Sequence, residues 1–281
     1  MQQIISPILA LLVVGGFAWG DVKGTFEVCG KKVDLTHAYA LQYDNEERLI
    51  DGPELRILLV DREIDPSLLS VAVPAQFNLM AADGKLCGVF LRSVKSEDGY
   101  AMHGTVFYQP EDPRQSMIFF TKTGTNPVFK QLDVKDGKVS GEVDESSSED
   151  DETPYKFSLT FSAPMTKPDA VTAHFKGAEA AASAPAKAFL DFEKACRTGD
   201  LDAARKLSTE AGMRQIDEAV KQMGKEAFVS QAAQFIPDPA KLQKEIVEVV
   251  VRGKRAVVII EEDGSRNGAD MIQDGDTWKS E

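Results

Sequence analysis

The spacing of apolar residues changes once along this 281-residue chain. Between Asp21 and Ala163, short runs rich in Val, Phe, Tyr, Ile and Thr are separated by clusters of turn residues, a pattern typical of β-strands. From Ala184 onward, apolar residues first recur every three to four positions, which is the period of an α-helix. Strands followed by helices and then by further strands indicate an α+β protein.

Nine strand candidates lie in the first part, residues 21–163, and they predict one antiparallel β-sandwich or β-barrel. A single insert between Pro74 and Gly84 has helical spacing and predicts a helix. The strand candidates are Gly24–Val28, Lys32–Tyr43, Glu54–Arg62, Leu86–Lys95, Tyr100–Tyr108, Ser116–Thr121, Val128–Val134, Lys138–Val143 and Tyr155–Ala163.

Four helices and then an antiparallel meander are predicted for residues 184–281. The segment 164–183 precedes them and is predicted to be the connection between the two domains, because the alanine-rich run Ala178–Ala188 breaks the strand pattern. The apolar stripes of the helices are Phe189, Phe192 and Cys196; Leu201, Ala204 and Leu207; Met213, Ile216, Val220 and Met223; and Phe228, Ala232, Phe235 and Ile236. We expect Pro237 and Pro239 to end helix formation.

The N-terminus resembles a secretory signal, which we assign to residues 1–20. Ile4–Ala18 is an apolar run shorter than a membrane-spanning helix requires, and Ala18 and Gly20 provide small residues at a cleavage site. Met1-Gln2-Gln3 carries no basic side chain, so a retained anchor is the alternative. Cleavage predicts an exported protein, periplasmic or secreted, with no stable membrane insertion.

The net charge is −13, which argues against a nucleic-acid partner and against electrostatic docking on anionic lipid. The sequence contains no G-x-S-x-G, P-loop, dinucleotide fingerprint, C-x-x-C or H-E-x-x-H. We therefore expect no cofactor and no metal site.

The second part resembles the nuclear-transport-factor-two-like superfamily, whose cystatin-like fold is a cone of curved antiparallel sheet closed by helices. The resemblance covers about 100 residues and rests on Ala186–Leu190, Thr198–Leu201 and the closing Asp274–Lys279. The first part resembles β-rich domains of uncharacterised exported bacterial proteins through Gly24–Phe26, Leu35–Ala40 and Phe161–Pro164. No activity follows from that second likeness.

The superfamily resemblance implies a cavity inside the cone, in which enzymes of the superfamily use Asp, His or Tyr. All three histidines and all five tyrosines of this chain precede residue 175, so the second part offers no imidazole or phenol. We therefore expect no catalytic residues there. The residues expected to line the cone are Phe189, Phe192, Met213, Ile216, Val220, Glu248 and Trp278.

Glu248 is an acid inside an otherwise apolar strand, in which Val247, Val249 and Val251 alternate with Ile246 and Val250. It faces either the cavity or the solvent, and the ordinary half-exposed strand favours the solvent.

Three further features have an ordinary structural interpretation beside a functional one. His37 shares a strand face with Tyr39 and is interpreted as structural. Asp263–Gly268 resembles half of a calcium loop, but it joins two strands and favours an Asn-Gly hairpin. The acidic run Glu142–Glu152 favours a disordered hairpin loop over a binding site for calcium or a basic partner.

The three cysteines divide into two groups. Cys196 lies on a helical apolar stripe and is expected to be buried and reduced. Cys29 and Cys87 either pair as a disulfide in an oxidising compartment or stay as two thiols.

These features favour a non-enzymatic exported protein that binds a small apolar ligand or a protein partner. The alternatives are a carboxylate-based hydrolase or isomerase and a purely structural envelope protein.

Overall fold

The structure of the protein, a computed structural model, describes residues 20–44, 52–70, 75–96, 99–110, 116–122 and 128–281. The apolar run Ile4–Ala18 and the expected helix start at Pro74 lie outside the described residues. Strands fill the first part, and the second part combines helices with a separate sheet. The predicted α+β class is therefore confirmed.

The first part forms a curled sheet of ten strands in the order β2-β1-β10-β3-β4-β5-β6-β7, with β9 pairing with β10 and β8 with β9. β10 is antiparallel to β1 and β9, while its last residues, Met165 and Thr166, run parallel to Ala40 and Leu41 of β3. The strands are β1 (Asp21–Val28), β2 (Lys31–Lys32), β3 (His37–Tyr43), β4 (Glu54–Val60), β5 (Gly88–Ser96), β6 (Gly99–Phe107), β7 (Met117–Lys122), β8 (Phe129–Lys135), β9 (Lys138–Ser146) and β10 (Tyr155–Thr166).

The inner face of the curled sheet buries an apolar core. Along β10, Tyr155, Phe157, Leu159 and Phe161 are buried and alternate with exposed residues, as the period of a strand requires. Phe157 stacks against Phe26 of β1, with ring centroids 6.3 Å apart. Alternation in the sequence thus identifies the core face directly.

The outer face of β3–β6 is buried beneath a 3₁₀ helix, Pro66–Ser70, and an α-helix, α1 (Ala75–Ala82). Phe77 of α1 is fully buried and meets the ring edges of Phe90 and Phe107 at centroid distances of 6.2 and 5.6 Å. The helical insert predicted from the sequence is therefore a cover for this face of the sheet.

Charged residues are also buried on this outer face. The Glu54 carboxylate accepts hydrogen bonds from Arg56 at 2.8 Å and from Arg92 at 2.5 Å. Arg56 donates in addition to the carbonyl oxygen of Leu69, and its guanidinium lies 3.9 Å from the ring centroid of Tyr43. The Glu54 charge is thus shared by two guanidinium groups, and Arg56 is further satisfied by a backbone carbonyl and an aromatic ring.

The second part contains a five-stranded antiparallel sheet in the order β11-β12-β13-β14-β15, with six helices between its first two strands. The strands are β11 (Val171–Lys176), β12 (Ile246–Arg252), β13 (Arg255–Glu262), β14 (Ser265–Asp274) and β15 (Thr277–Ser280). The helices are α2 (Ala178–Ala182), α3 (Ala184–Thr198), α4 (Leu201–Leu207), α5 (Glu210–Met223), α6 (Lys225–Phe235) and α7 (Pro239–Glu245).

The segment 164–183, expected to be a connection, is mostly regular structure. It contains the end of β10, the edge strand β11 and the short helix α2, so the irregular part is limited to residues 167–170. β11 belongs to the second sheet because it pairs with β12, a strand about 70 residues later in the chain. Local spacing gave no sign of this pairing because the partner strand is remote in sequence.

Helix α7 was not expected from the sequence, because Pro239 was taken to end helix formation. Pro239 instead occupies the first turn of α7, where its missing N–H costs nothing. The Asp238 side chain accepts a hydrogen bond from the backbone N–H of Ala240 and caps the helix.

Ion pairs of Arg214 and Arg252 connect the first and second parts of the chain. Arg214 of α5 donates to Asp83, just after α1, at 2.7 Å. Arg252 of β12 donates to Asp44 at 2.8 Å and to the carbonyl oxygen of Asp169 at 2.8 Å. The helix α5 and the second sheet are therefore both tied to the first part.

Candidate functional site

The seven residues expected to line one cone cavity are distributed over four environments. Phe189 and Trp278 pack into the filled apolar core between the helices and the second sheet, with Val249 and Met271. Met213 is buried in a smaller cluster with Cys196. Phe192 and Ile216 line a groove at the surface, and Val220 is half-buried on the same helix as Ile216.

Glu248 lies on the face of the second sheet turned away from the helices, and it is buried rather than solvent-facing. Its side chain accepts a hydrogen bond from Arg266 at 2.5 Å and lies 3.3 Å from Nζ of Lys176 and 3.7 Å from Nε2 of His174. Burial opposes ionisation, but the contacts with Arg266 and Lys176 outweigh it and hold the pKa of Glu248 below its usual value. These contacts make Glu248 part of a structural charge cluster.

An irregularity in β12 explains why the sequence misplaced one face of this strand. The register with β13 shifts between Ile246 and Glu248, so Ile246 joins Val249 and Val251 in the core below the helices. Strict alternation had placed Ile246 on the other face, with Val250. One extra residue in a strand reverses the alternation from that point.

A groove of about 460 Å³ lies between α3, α5 and α6. Its apolar lining comes from all three helices and the residue that follows α6: Phe192, Cys196, Ile216, Ala219, Phe228, Ala232, Phe235 and Ile236. Its polar lining residues are Glu193, Gln215, Gln231 and Glu281. An apolar concave surface with a few polar groups is the ordinary form of a small-molecule site.

Local capping residues begin α3 and α5, and a tertiary contact holds the end of α6. Ser183 caps α3 by accepting a hydrogen bond from Ala186, and Gly199 ends the helix in the left-handed conformation with φ 72°. Thr209 caps α5 by accepting a hydrogen bond from Gly212. Arg197 of α3 donates to the carbonyl oxygens of Ala233 and Ile236 at the end of α6, and so fixes that end beside α3.

The apolar stripe of α5 becomes less buried along the helix. Met213 is buried, Ile216 and Val220 are half-buried, and Met223 is 41% exposed. On α6, Phe235 was expected to face inward, but it is 75% exposed at the rim of the groove. Apolar surface on neighbouring helices that no described residue covers marks a site of interaction.

Glu193 is the groove residue that the sequence reasoning missed. It follows Phe189 by four positions and precedes Cys196 by three, so it occupies the apolar stripe of α3. Burial raises its pKa to about 7. A carboxylate at a core-facing position of an amphipathic helix is the signal that identifies it.

Cys196 is buried, as expected, and it lies next to Glu193. Burial raises the pKa of its thiol to about 12, and the charge of Glu193 adds to the shift. The side chain is therefore a small hydrophobic residue in the groove wall and not a nucleophile.

Cys29 and Cys87 form no disulfide in the described structure. Cys29 is exposed at the turn after β1, whereas Cys87 is half-buried just before β5. Three strands, β10, β3 and β4, lie between β1 and β5 in the sheet. Burial raises the pKa of Cys87 to about 12, which keeps this thiol protonated.

A larger cleft of about 880 Å³ lies beside the 3₁₀ helix of the first part. Its lining combines acidic Glu63, Asp65 and Asp169 with Lys167 and the apolar Leu68 and Met80. Charges of both signs in one lining define no single ligand chemistry. We therefore take the groove between α3, α5 and α6 as the candidate site.

The other sequence features occupy structural positions. His37 shares a 2.8 Å hydrogen bond with Thr36 and stacks on Tyr39 at 6.4 Å. The β13–β14 turn is made by Asp263 and Gly264, with φ 51° and 79°. Asn267 and Gly268 lie inside β14 and pair with Ile260 and Ile259 of β13, so the Asn-Gly hairpin expectation was wrong. The acidic run 142–152 spans the end of β9 and the turn that leads to β10.

Among the described residues, no group of three or more His, Cys, Asp or Glu side chains is arranged to hold a metal ion. Within the same residues, no helix combines the length and apolar composition needed to cross a bilayer. Comparison of the chain with protein-family models, with curated proteins and with solved structures gave no match. The superfamily resemblance therefore rests on the sequence motifs and has no matching relative behind it.

Proposed function

We propose that this chain is an exported, non-enzymatic binding protein whose groove between α3, α5 and α6 holds a small apolar ligand. The observation that carries the proposal is the exposure of Phe235 and Met223 beside a concave apolar lining. Covering such surface with a ligand stabilises the complex by about 25 cal/mol for each Å² of apolar surface removed from water.

The proposal places the site at the surface of the helices and not inside a cone. The space between helices and sheet is occupied by Phe189, Val249, Met271 and Trp278. A cone of the nuclear-transport-factor-two-like type is supported by the antiparallel order of the second sheet and by helices that precede its last four strands. A closed barrel or sandwich in the first part is supported by β10, which pairs with strands in both halves of the curled sheet.

Export is the part of the proposal that rests on residues 1–20. The first described strand begins at Asp21, directly after the expected cleavage site, so removal of residues 1–20 leaves each described strand and helix whole and takes away the bridge between Gly20 and Ala38. N-terminal sequencing of the protein from its native compartment should give a mature chain that begins at or near Asp21. Recovery of the full-length chain from membranes would contradict export as a soluble protein.

Binding is tested with a neutral apolar dye, N-phenylnaphthylamine, whose fluorescence increases when it leaves water. Ala219→Trp should fill the groove and reduce dye affinity about tenfold or more, because Ala219 lines it. Ala227→Trp is the matched control, because Ala227 lies on the exposed surface of α6 outside the lining. Absence of saturable dye binding by the wild-type protein would overturn the proposal.

Carboxylate catalysis is the second candidate, and Glu193 is the observation that favours it. A pKa of about 7 suits a general acid or base at neutral pH. The side chain of Glu281, the other acid of the groove, is engaged by Arg255 at 3.2 Å. Mass spectrometry of molecules that co-purify with the protein, before and after prolonged incubation, separates the two functions, because a binding protein leaves them chemically unchanged.

A further inference from the structure

The groove between α3, α5 and α6 contains one carboxylate with no partner in the described structure. No described residue forms a hydrogen bond or an ion pair with the Glu193 side chain, and burial is the sole cause of its raised pKa. An ionised carboxylate in an apolar setting is destabilised unless a cation or a hydrogen-bond donor reaches it. The groove therefore provides a place for a positively charged group of a ligand.

The charge of the groove lining also favours a positively charged ligand group. Among the described residues that line the groove, Glu193 and Glu281 are acidic and none is Lys or Arg. The nearby Arg197 is already engaged by the carbonyl oxygens of Ala233 and Ile236. The whole chain carries a net charge of −13, so its long-range field also attracts cations and repels anions.

The aromatic residues of the groove suit the same kind of group. Phe192, Phe228 and Phe235 line it together with Glu193. The faces of aromatic rings attract ammonium groups, and their area also covers an apolar chain. The groove therefore combines one negative charge with an apolar surface.

We propose that the ligand is an amphiphilic amine, whose protonated amino group pairs with the Glu193 carboxylate while its apolar body covers Phe235 and the exposed side of α5. This inference rests on the proposed function, since it names the class of ligand for the same groove. Fatty acids are disfavoured, because their carboxylate would lie beside Glu193 with no cation to offset the repulsion. Alcohols of the same length bind through the apolar body alone.

The protonation of Glu193 controls the amine preference. The titratable and charged groups around the Glu193 carboxylate come from α3 and from the C-terminal residue. On α3 they are the Cys196 thiol, which stays protonated, and Arg197, which follows Cys196. The C-terminal residue is Glu281, whose side chain pairs with Arg255. The carboxylate becomes charged as the pH rises through about 7. The preference for an amine over an alcohol should therefore increase between about pH 5 and about pH 8.

The test measures displacement of N-phenylnaphthylamine by decylamine, decanol and decanoate, which share one chain length and differ in charge. At about pH 8, decylamine should bind about tenfold more tightly than decanol, and decanoate should bind most weakly. Glu193→Gln should remove the amine preference and its pH dependence, so that decylamine and decanol bind with similar affinity at both ends of the pH range. Glu226→Gln, at an exposed acid of α6 outside the groove, should behave as the wild type.

Each outcome separates the two proposals. If none of the three compounds displaces the dye, or the dye itself does not bind, the proposed function fails. If decanol or decanoate binds as tightly as decylamine, or Glu193→Gln retains the amine preference, the inference fails while the groove remains a binding site. Sedimentation that shows a dimer dissociated by Phe235→Ser would assign the groove to a second copy of the chain and overturn the inference. Melting curves of each variant confirm that the fold is retained.

Discussion

Glu193 lies one helical turn after Phe189 on α3, yet the two side chains reach different environments. Phe189 is buried against the second sheet, whereas Glu193 opens onto the groove between α3, α5 and α6. One stripe of one helix therefore serves the core at its beginning and the candidate site further along. The carboxylate is placed by the same periodicity that places the core.

Glu193→Gln should stabilise the protein at alkaline pH. The pKa of Glu193 is raised from 4.5 to about 7 by burial, so the folded state binds a proton that the unfolded state has lost, and stability falls as pH rises through this interval. At about pH 8 the variant should gain roughly 1–2 kcal/mol in free energy of unfolding. At about pH 4 it should match the wild type. Urea denaturation at both pH values measures the difference, and equal effects at both would contradict the assignment.

Phe235→Ser should weaken dye binding several-fold with little effect on stability. The side chain is 75% exposed, so its removal costs the folded protein less than about 0.5 kcal/mol, but it removes apolar contact from the groove rim. Val134→Ser, at an apolar residue of β8 that is 56% exposed and outside the lining, is the control and should leave dye affinity unchanged. A large loss of thermal stability in Phe235→Ser would show that the residue belongs to the core instead.

Glu248→Gln should destabilise the protein at neutral pH by about 1 kcal/mol. The pKa of Glu248 is depressed by Arg266 and Lys176 in spite of burial, so its contribution is present above the unfolded value of 4.5 and is lost as pH falls through the lower folded value. Wild type and variant should therefore converge at about pH 3 in chemical denaturation. Glu261→Gln, at an exposed acid 3.6 Å from Arg266, should have a smaller effect at every pH.

Arg252→Met should weaken the junction between the two parts of the chain. Arg252 is buried and donates to Asp44 and to the carbonyl oxygen of Asp169, so the substitution leaves that oxygen without this donor and costs about 1–3 kcal/mol. Arg205→Met, which removes an exposed pair with Asp217, should cause no measurable loss. If both variants melt at the wild-type temperature, the Arg252 contacts do not stabilise the junction.

A thiol count on the unfolded, unreduced protein should give three. The structure leaves Cys29 exposed after β1 and Cys87 half-buried before β5, and β10, β3 and β4 separate these two strands. A count of one would show that these two cysteines pair after export, in conflict with this strand order.

The sequence by itself determined the α+β class, the positions of most strands and all the longer helices. The reason is local: period two in Tyr155–Phe161, period 3.6 in Met213–Met223, and the capping residues Ser183 and Thr209 each specify conformation within a few neighbouring residues.

Only the tertiary structure decided what covers each apolar face. Period 3.6 aligns Phe235 with Phe228 and Ala232, but it carries no information on whether another helix packs over the end of that stripe, and Phe235 is exposed. β11 pairs with a strand about 70 residues away, and the register shift in β12 reassigns Ile246, so neither follows from local spacing. Glu193 became a groove residue, and Glu248 a buried ion-pair residue, through the same non-local packing. Periodicity orients a side chain, whereas burial depends on elements that are distant in the sequence.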